Sequence, residues 1–185
     1  MSDAIHDTAN ANAIDEHLFR LSEHIGDLLR QRGWSCGTAE SCTGGGIALT
    51  LTTVPGSSDY VQGGIVAYSN EIKMRHLAVS RETLQRVGAV SVECGREMAL
   101  GVRSALGVDV GISSTGIAGP GGSTARKPVG LVYIGVATER HVEVRELRFA
   151  GDRQTIMRAA ATAALELTVE MLTNGAADGA PETGA

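Results

Sequence analysis

Lysine occurs at only two positions of this chain, 73 and 127, whereas fourteen arginines carry the remaining positive charge. Cysteine is sparse as well. Cys36, Cys42 and Cys94 form an odd set without C-x-x-C spacing, which argues against a disulfide framework or a structural zinc site and reads as reduced thiols. No stretch approaches the roughly 18 apolar residues that a membrane-spanning helix needs. The start "MSDAIHDTANANAIDEH" has neither a basic segment nor an apolar h-region. The expected location is therefore the cytoplasm, with no membrane partner. An excess of positive charge is also missing: a net charge of -5, with both signs interspersed, leaves no electrostatic footprint for nucleic acid. At 185 residues the chain fits one domain with a sizeable core. A small molecule is the expected partner.

Hydrophobic periodicity orders the rest. Ile14, Leu18, Leu21, Ile25 and Leu28 recur at spacings of four and three, an amphipathic helix that ends near Gly33. "WSCGTA" reads as a strand, "GGIALTLTTVPG" as a helix stopped at Val54-Pro55-Gly56, and "VQGGIVAY" as a glycine-bearing strand. Asn70 can cap a short helix to about Leu77, and Ser80 and Ser91 can cap two more. The second of these carries Cys94, Met98, Val102 and Ala105 along one face. "VDVGISS" is a buried-type strand. "LVYIGVAT" and "VEVRELRF", separated only by Glu139, Arg140 and His141, should pair as an antiparallel hairpin. Asp152 caps a last helix to about Leu172. The order of elements, with helices between most strands, implies an α/β fold whose sheet is covered on both faces. One domain is expected over residues 13–173, with unstructured ends at 1–12 and 174–185. The glycine-bearing strands and the alanines from Ala159 to Ala164 would permit close packing between subunits, and a homo-oligomer is expected.

Two glycine-rich segments are candidate sites. "TAESCTGGG", residues 38–46, places a carboxylate, two hydroxyls and a thiol before three consecutive glycines at a strand-to-helix turn. Ser41 there is either a helix cap or a nucleophile whose oxyanion helix N–H groups would stabilise. No G-x-S-x-G, no S-x-x-K and no Walker A pattern occurs, and no histidine sits in a comparable turn, so a base for Ser41 would not be histidine. Cys42 is either a second nucleophile or a buried filler. "GIAGPGGS", residues 116–123, lies in a long loop from Thr115 to Gly130 and offers clustered N–H groups to a phosphate. In a chain that otherwise uses arginine, a retained lysine is a candidate base, because arginine does not lose its proton and lysine does once burial or a cationic neighbour lowers its pKa. Lys73, just after Tyr68-Ser69-Asn70, stands where a side chain can point back over a strand end. An ordinary surface lysine is the alternative for both positions. No His/Cys/Asp cluster has ligand spacing, so neither a metal nor a cofactor is expected.

Taken together, "TAESCTGG", "VPGSSDYVQGGIVAYSNEIK", "GAVS", "STGIAGPGG", "KPVG" and "FAGDR" resemble the CinA C-terminal domain family, the nicotinamide-nucleotide amidohydrolases, over about Leu18 to Leu172. Larger members carry a further N-terminal domain, and this chain looks like the stand-alone form. The resemblance implies a three-layer αβα sandwich with a mixed, mostly parallel sheet of about five strands. It also implies hydrolysis of the carboxamide of nicotinamide mononucleotide to nicotinate mononucleotide and ammonia. Carried over by motif, Ser41 is the nucleophile, Tyr68 and Lys73 the relay and base, and Thr115 the hydroxyl before "GIAGP". Thr43, Gly44, Gly45, Gly119, Gly121, Gly122 and Arg153 are the implied substrate contacts. Glu40 faces either the substrate's pyridinium charge or backbone N–H groups. Gly46 departs from the bulkier apolar residue that members usually carry there. A phosphate-binding module without chemistry is the competing reading.

Overall fold

The computed structural model describes the backbone of residues 3–174 and the side chains of residues 16–174. Helix α1 (Asp3–Arg32) comes first, then strand β1 (Cys36–Glu40), helix α2 (Gly46–Thr52) and, after a short 3-10 turn, strand β2 (Val61–Val66). Helices α3 (Asn70–Leu77), α4 (Arg81–Arg86) and α5 (Val92–Leu106) follow, then strands β3 (Val110–Gly116), β4 (Leu131–Ala137) and β5 (Val142–Arg148) and helix α6 (Arg153–Asn174). α1 reaches back over most of the segment expected to be unstructured. That segment has several alanines and neither glycine nor proline, so nothing in it stops a helix. The expected tail falls almost wholly outside the described residues.

The strands form one sheet in the order β2-β1-β3-β4-β5. β1, β2 and β3 run parallel, β4 is antiparallel to both of its neighbours, and β4 is therefore the only strand pointing the other way. The hairpin expected around residues 139–141 is the β4–β5 pair. α1, α2 and α6 cover one face and α3 and α5 the other, giving three layers. Side-chain alternation along the strands sets this division. Val110 and Ile112 of β3, with Val132, Ile134 and Val136 of β4, join Ile25, Leu29, Ile47 and Leu165 in the larger core. Ala39 of β1 points the opposite way, into a smaller core with Leu77, Cys94, Met98 and Val102.

Ser80, Ser91 and Asp152 cap their helices as expected, each side chain accepting a backbone N–H three residues on. Two details differ. Ser69, not Asn70, caps α3, its Oγ accepting from Ile72 N at 3.2 Å. On α5 the apolar stripe ends with Leu106, packed against the smaller core, and Ala105 is exposed. Leu106 is four residues from Val102, a spacing that keeps to the same helix face, and α5 then stops at Gly107 in a left-handed cap. Among the described residues no helix is long and apolar enough to cross a membrane.

The three glycines after Thr43 do different work. Gly44 and Gly45 have φ of 65° and 104°, a region that L side chains rarely adopt, whereas Gly46 begins α2 without a positive φ. A Cβ at Gly46 would meet nothing closer than Thr43 Cβ at 4.0 Å. Gly46→Ala should therefore stabilise the protein by up to about 1 kcal/mol. Gly45→Ala should cost about 1–2 kcal/mol for its left-handed backbone. Urea unfolding of the two variants checks this, and an equal loss at both positions would contradict it.

Candidate active site

β1 is buried along its whole length between β2 and β3, and the chain leaves it into the turn that carries Ser41. Glu40 is fully buried and points toward α2. Its carboxylate accepts five hydrogen bonds: Thr38 Oγ1 at 3.0 Å, Thr43 Oγ1 at 2.7 Å, and the backbone N–H groups of Gly45, Ile47 and Ala48 at 2.9, 3.0 and 2.8 Å. The Thr43 hydroxyl has one proton and gives it to Glu40, so Ser114 Oγ, 2.6 Å away, donates to Thr43. Of the two roles open to Glu40, the structure shows the backbone-binding one. It also corrects the expectation that the α2 N–H groups await an oxyanion. Gly45, Ile47 and Ala48 are committed to Glu40, and Gly46 N–H goes to the Thr43 carbonyl at 3.1 Å.

Ser41 faces the other way. Its N–H continues the sheet ladder to Ser114 O at 2.9 Å, and its Oγ lies 2.9 Å from Lys73 Nζ. It is not the cap of α2, whose N-cap is Gly45 with no side-chain bond. Lys73, on α3, reaches back over the end of β2 and donates to Ala67 O at 2.6 Å. It is only 1% exposed, and among the described residues no carboxylate pairs with it. Burial lowers its pKa from the ordinary lysine value, with the Cys94 and Cys42 thiols opposing that shift. Those thiols are themselves pushed up by burial, Cys42 to about 12 and Cys94 to about 11, so both stay protonated near neutral pH. Cys42 is thus a buried filler beside Ser41 and a poor nucleophile.

Ser41 and Lys73 open onto a cleft of about 230 Å³ that is also lined by Cys42, Tyr68, Asn70, Thr115 and Arg153. Tyr68 is 63% exposed, and its hydroxyl accepts from Arg153 at 3.1 Å; no hydrogen bond joins it to Ser41 or Lys73 among the described residues. Arg153, the first residue of α6, also donates to Gly119 O at 2.8 Å. Thr115 is buried, and its hydroxyl donates to Ala89 O at 2.7 Å, which holds the Ala89-Val90 wall of the cleft in place. The structure therefore gathers Ser41, Tyr68, Lys73, Thr115 and Arg153 around one opening. Thr43 and Gly45 are drawn to Glu40 instead, and Gly44 is exposed in the turn between them. Gly119 contributes its carbonyl to Arg153, and Gly121 and Gly122 lie exposed in the loop beyond it. Lys127, the other lysine, ties that loop to Val87 O at 2.5 Å. Asn70, Ala89 and Val90 are cleft residues that motif reading did not single out. Their only sequence signal is position, next to Lys73 and within "GAVS".

A larger cavity of about 460 Å³ lies at the opposite end of the sheet, around Trp34, the β4–β5 turn and the end of α6. It holds no nucleophile-and-base pair. Arg145 there is paired with Glu143 and Glu170, and Arg32 with the carbonyls of Leu28 and Leu172. The serine-lysine pair lies in the smaller cleft. Among the described residues no group of three or more His, Cys, Asp or Glu side chains is placed to hold a metal ion.

Every partner of Glu40 is a donor, so Glu40→Gln sets an amide N–H against backbone N–H groups. The exchange should cost about 2–4 kcal/mol in urea unfolding. A variant as stable as the parent would show that the carboxylate does not hold the turn.

The CinA C-terminal domain model matches residues 18–172. The chain is 55% identical over 130 residues to a CinA-like protein of Thermosynechococcus vestitus, an alignment covering 70% of this chain and 31% of that protein. It is 50% identical over 136 residues to a CinA-like protein of Dictyoglomus thermophilum, covering 74% of this chain and 33% of that protein. The chain thus spans about a third of the length of these curated relatives. Among solved structures it is similar to the competence/damage inducible protein CihA of Agrobacterium tumefaciens, with a TM-score of 0.82 and 38% identity over 85% of this chain and 96% of that one. It is likewise similar to the competence damage-inducible protein A of Klebsiella pneumoniae, with a TM-score of 0.81 and 35% identity over 84% of this chain and 97% of that one. By fold, motif order and family match, the chain belongs to the CinA C-terminal domain family.

Proposed function

We propose that this domain hydrolyses the carboxamide of nicotinamide mononucleotide to nicotinate mononucleotide and ammonia, with Ser41 as nucleophile and Lys73 as its base. The observation that carries the proposal is a buried lysine without a carboxylate partner, 2.9 Å from a serine hydroxyl at the mouth of a cleft. An amide is a poor electrophile, so the serine must lose its proton as it attacks and the departing nitrogen must gain one. A neutral Lys73 serves both needs. Its lone pair takes the Ser41 proton while Oγ bonds to the carbonyl carbon. The resulting ammonium returns the proton to the leaving nitrogen as the C–N bond breaks and ammonia departs. Water then attacks the acyl-serine, Lys73 accepts the water proton, and Ser41 regains it as the acid is released. No step in this scheme requires a metal.

Arg153 supplies the anchoring end. Its exposed guanidinium, held by Gly119 O and Tyr68 OH, gives the cleft a cationic rim suited to the 5′-phosphate. Binding energy gathered there can position an amide over Ser41. In this scheme Tyr68 acts through Arg153 at the rim, since its hydroxyl is engaged there.

Ammonia release from the mononucleotide tests the reaction, and binding without release would favour a non-catalytic binding module. Lys73→Arg puts a permanently protonated group where the base stood, so its turnover should fall by about 10² to 10⁴. Ser41→Ala should be at least as damaging, and the double variant little worse than either alone. Near-parental turnover in a folded Lys73→Arg protein would remove the serine-lysine pair. Arg153→Ala should raise KM for the mononucleotide and leave the riboside nearly unaffected; an equal effect on both would remove the phosphate role.

A further inference from the structure

The polar side chains of the cleft are nearly all engaged. Lys73 bonds Ser41 and Ala67 O, Thr115 bonds Ala89 O, and Arg153 bonds Tyr68 and Gly119 O. Asn70 is the exception. It is exposed, it lines the cleft, and its amide makes no hydrogen bond to any described residue. It is also free of the task that asparagine usually has at a helix start, because Ser69 caps α3. Asn70 opens that helix three residues before Lys73, so both side chains lie on the same helix face, one turn apart. The cleft therefore presents the base and, beside it, one unoccupied group that offers a donor and an acceptor together.

A carboxamide is the complement of such a group. Its carbonyl oxygen accepts while its NH₂ donates, and an asparagine side chain can meet both at once. We propose that Asn70 is the residue that distinguishes the amide substrate from the acid product, its Nδ2 donating to the substrate carbonyl and its Oδ1 accepting from the substrate NH₂. The assignment rests on the amidohydrolase reading of the same cleft. Nδ2 also stands ready for the carbonyl oxygen as negative charge develops on it, a task for which the α2 N–H groups are already spent. After hydrolysis the product carboxylate has only acceptors. One of its oxygens then faces Oδ1 without a hydrogen between them, which weakens product binding and favours release.

The test is a pair of affinities measured by calorimetry in the Ser41→Ala protein, which holds the amide without consuming it. With Asn70 present, nicotinamide mononucleotide should bind more tightly than nicotinate mononucleotide. Asn70→Ala should weaken the amide by about 10- to 100-fold, the worth of a two-bond contact. The acid should change far less, so the preference for the amide collapses toward one. Asn70→Ser, which keeps one polar group, should fall between, and both variants should melt within a few degrees of the parent because position 70 is exposed. Equal weakening of both ligands, no weakening of either, or no preference for the amide while Asn70 is in place would overturn the assignment. The reaction itself is decided separately, by ammonia release from the protein with Ser41 intact. A catalytically active protein with an unaltered preference in Asn70→Ala would remove Asn70 alone.

Discussion

The hydrogen bonds to the Glu40 carboxylate organise this site. A buried acid with no cation beside it is costly unless donors surround it, and here five do. Those donors come from β1, from the turn and from the first residues of α2, so one side chain fixes the path of the chain from strand to helix. The left-handed Gly44 and Gly45 let the backbone fold around it. Because neighbouring side chains at a strand end point to opposite faces, fixing Glu40 toward α2 turns Ser41 toward α3. Adjacent positions in sequence thus serve opposite sides of the sheet.

That separation shapes the electrostatics of Lys73. An acid beside it would hold its proton and raise its pKa; instead Glu40 is directed elsewhere, and burial outweighs the opposing Cys94 and Cys42 thiols. The topology adds the opening. β1 is flanked on both sides by parallel strands, and the chain leaves β1 into α2 on one face and leaves β2 into α3 on the other. A crevice at the carboxyl ends of parallel strands, where the connections part, is the usual place for a ligand in such sheets. Ser41 and Thr115 reach it from the ends of β1 and β3, Lys73 from α3 over the end of β2, and Arg153 closes it from the start of α6.

Much of this was legible in the sequence. Periodicity located the helices and strands, three of the caps were readable from serine or aspartate at helix starts, and the scarcity of lysine drew attention to Lys73. What escaped was tertiary. "SN" before "EIK" offers two good caps side by side, and only the backbone shows that Ser69 takes the role and leaves Asn70 to the cleft. Glu40 had two plausible tasks, and choosing between them required knowing where the α2 N–H groups point. The meeting of Arg153 with Tyr68, 85 residues apart, leaves no local pattern at all. The glycine-rich loop, whose composition suggests a phosphate cradle, is tied at two points, by Lys127 to Val87 O and by Arg153 to Gly119 O, and leaves Gly121 and Gly122 exposed.

The central claim is that Lys73 is neutral enough to act as a base, and a chain with two lysines allows it to be read directly. Protein carrying ¹³C-labelled lysine gives two side-chain signals, and Lys73→Arg identifies one by its loss. Burial disfavours the ammonium form, so the Lys73 signal should titrate at a midpoint below the ordinary lysine value of about 10.4. Activity should rise with pH through the same midpoint. A Lys73 signal that titrates at or above the ordinary value would contradict the account, because that lysine would remain charged and could not take the proton from Ser41.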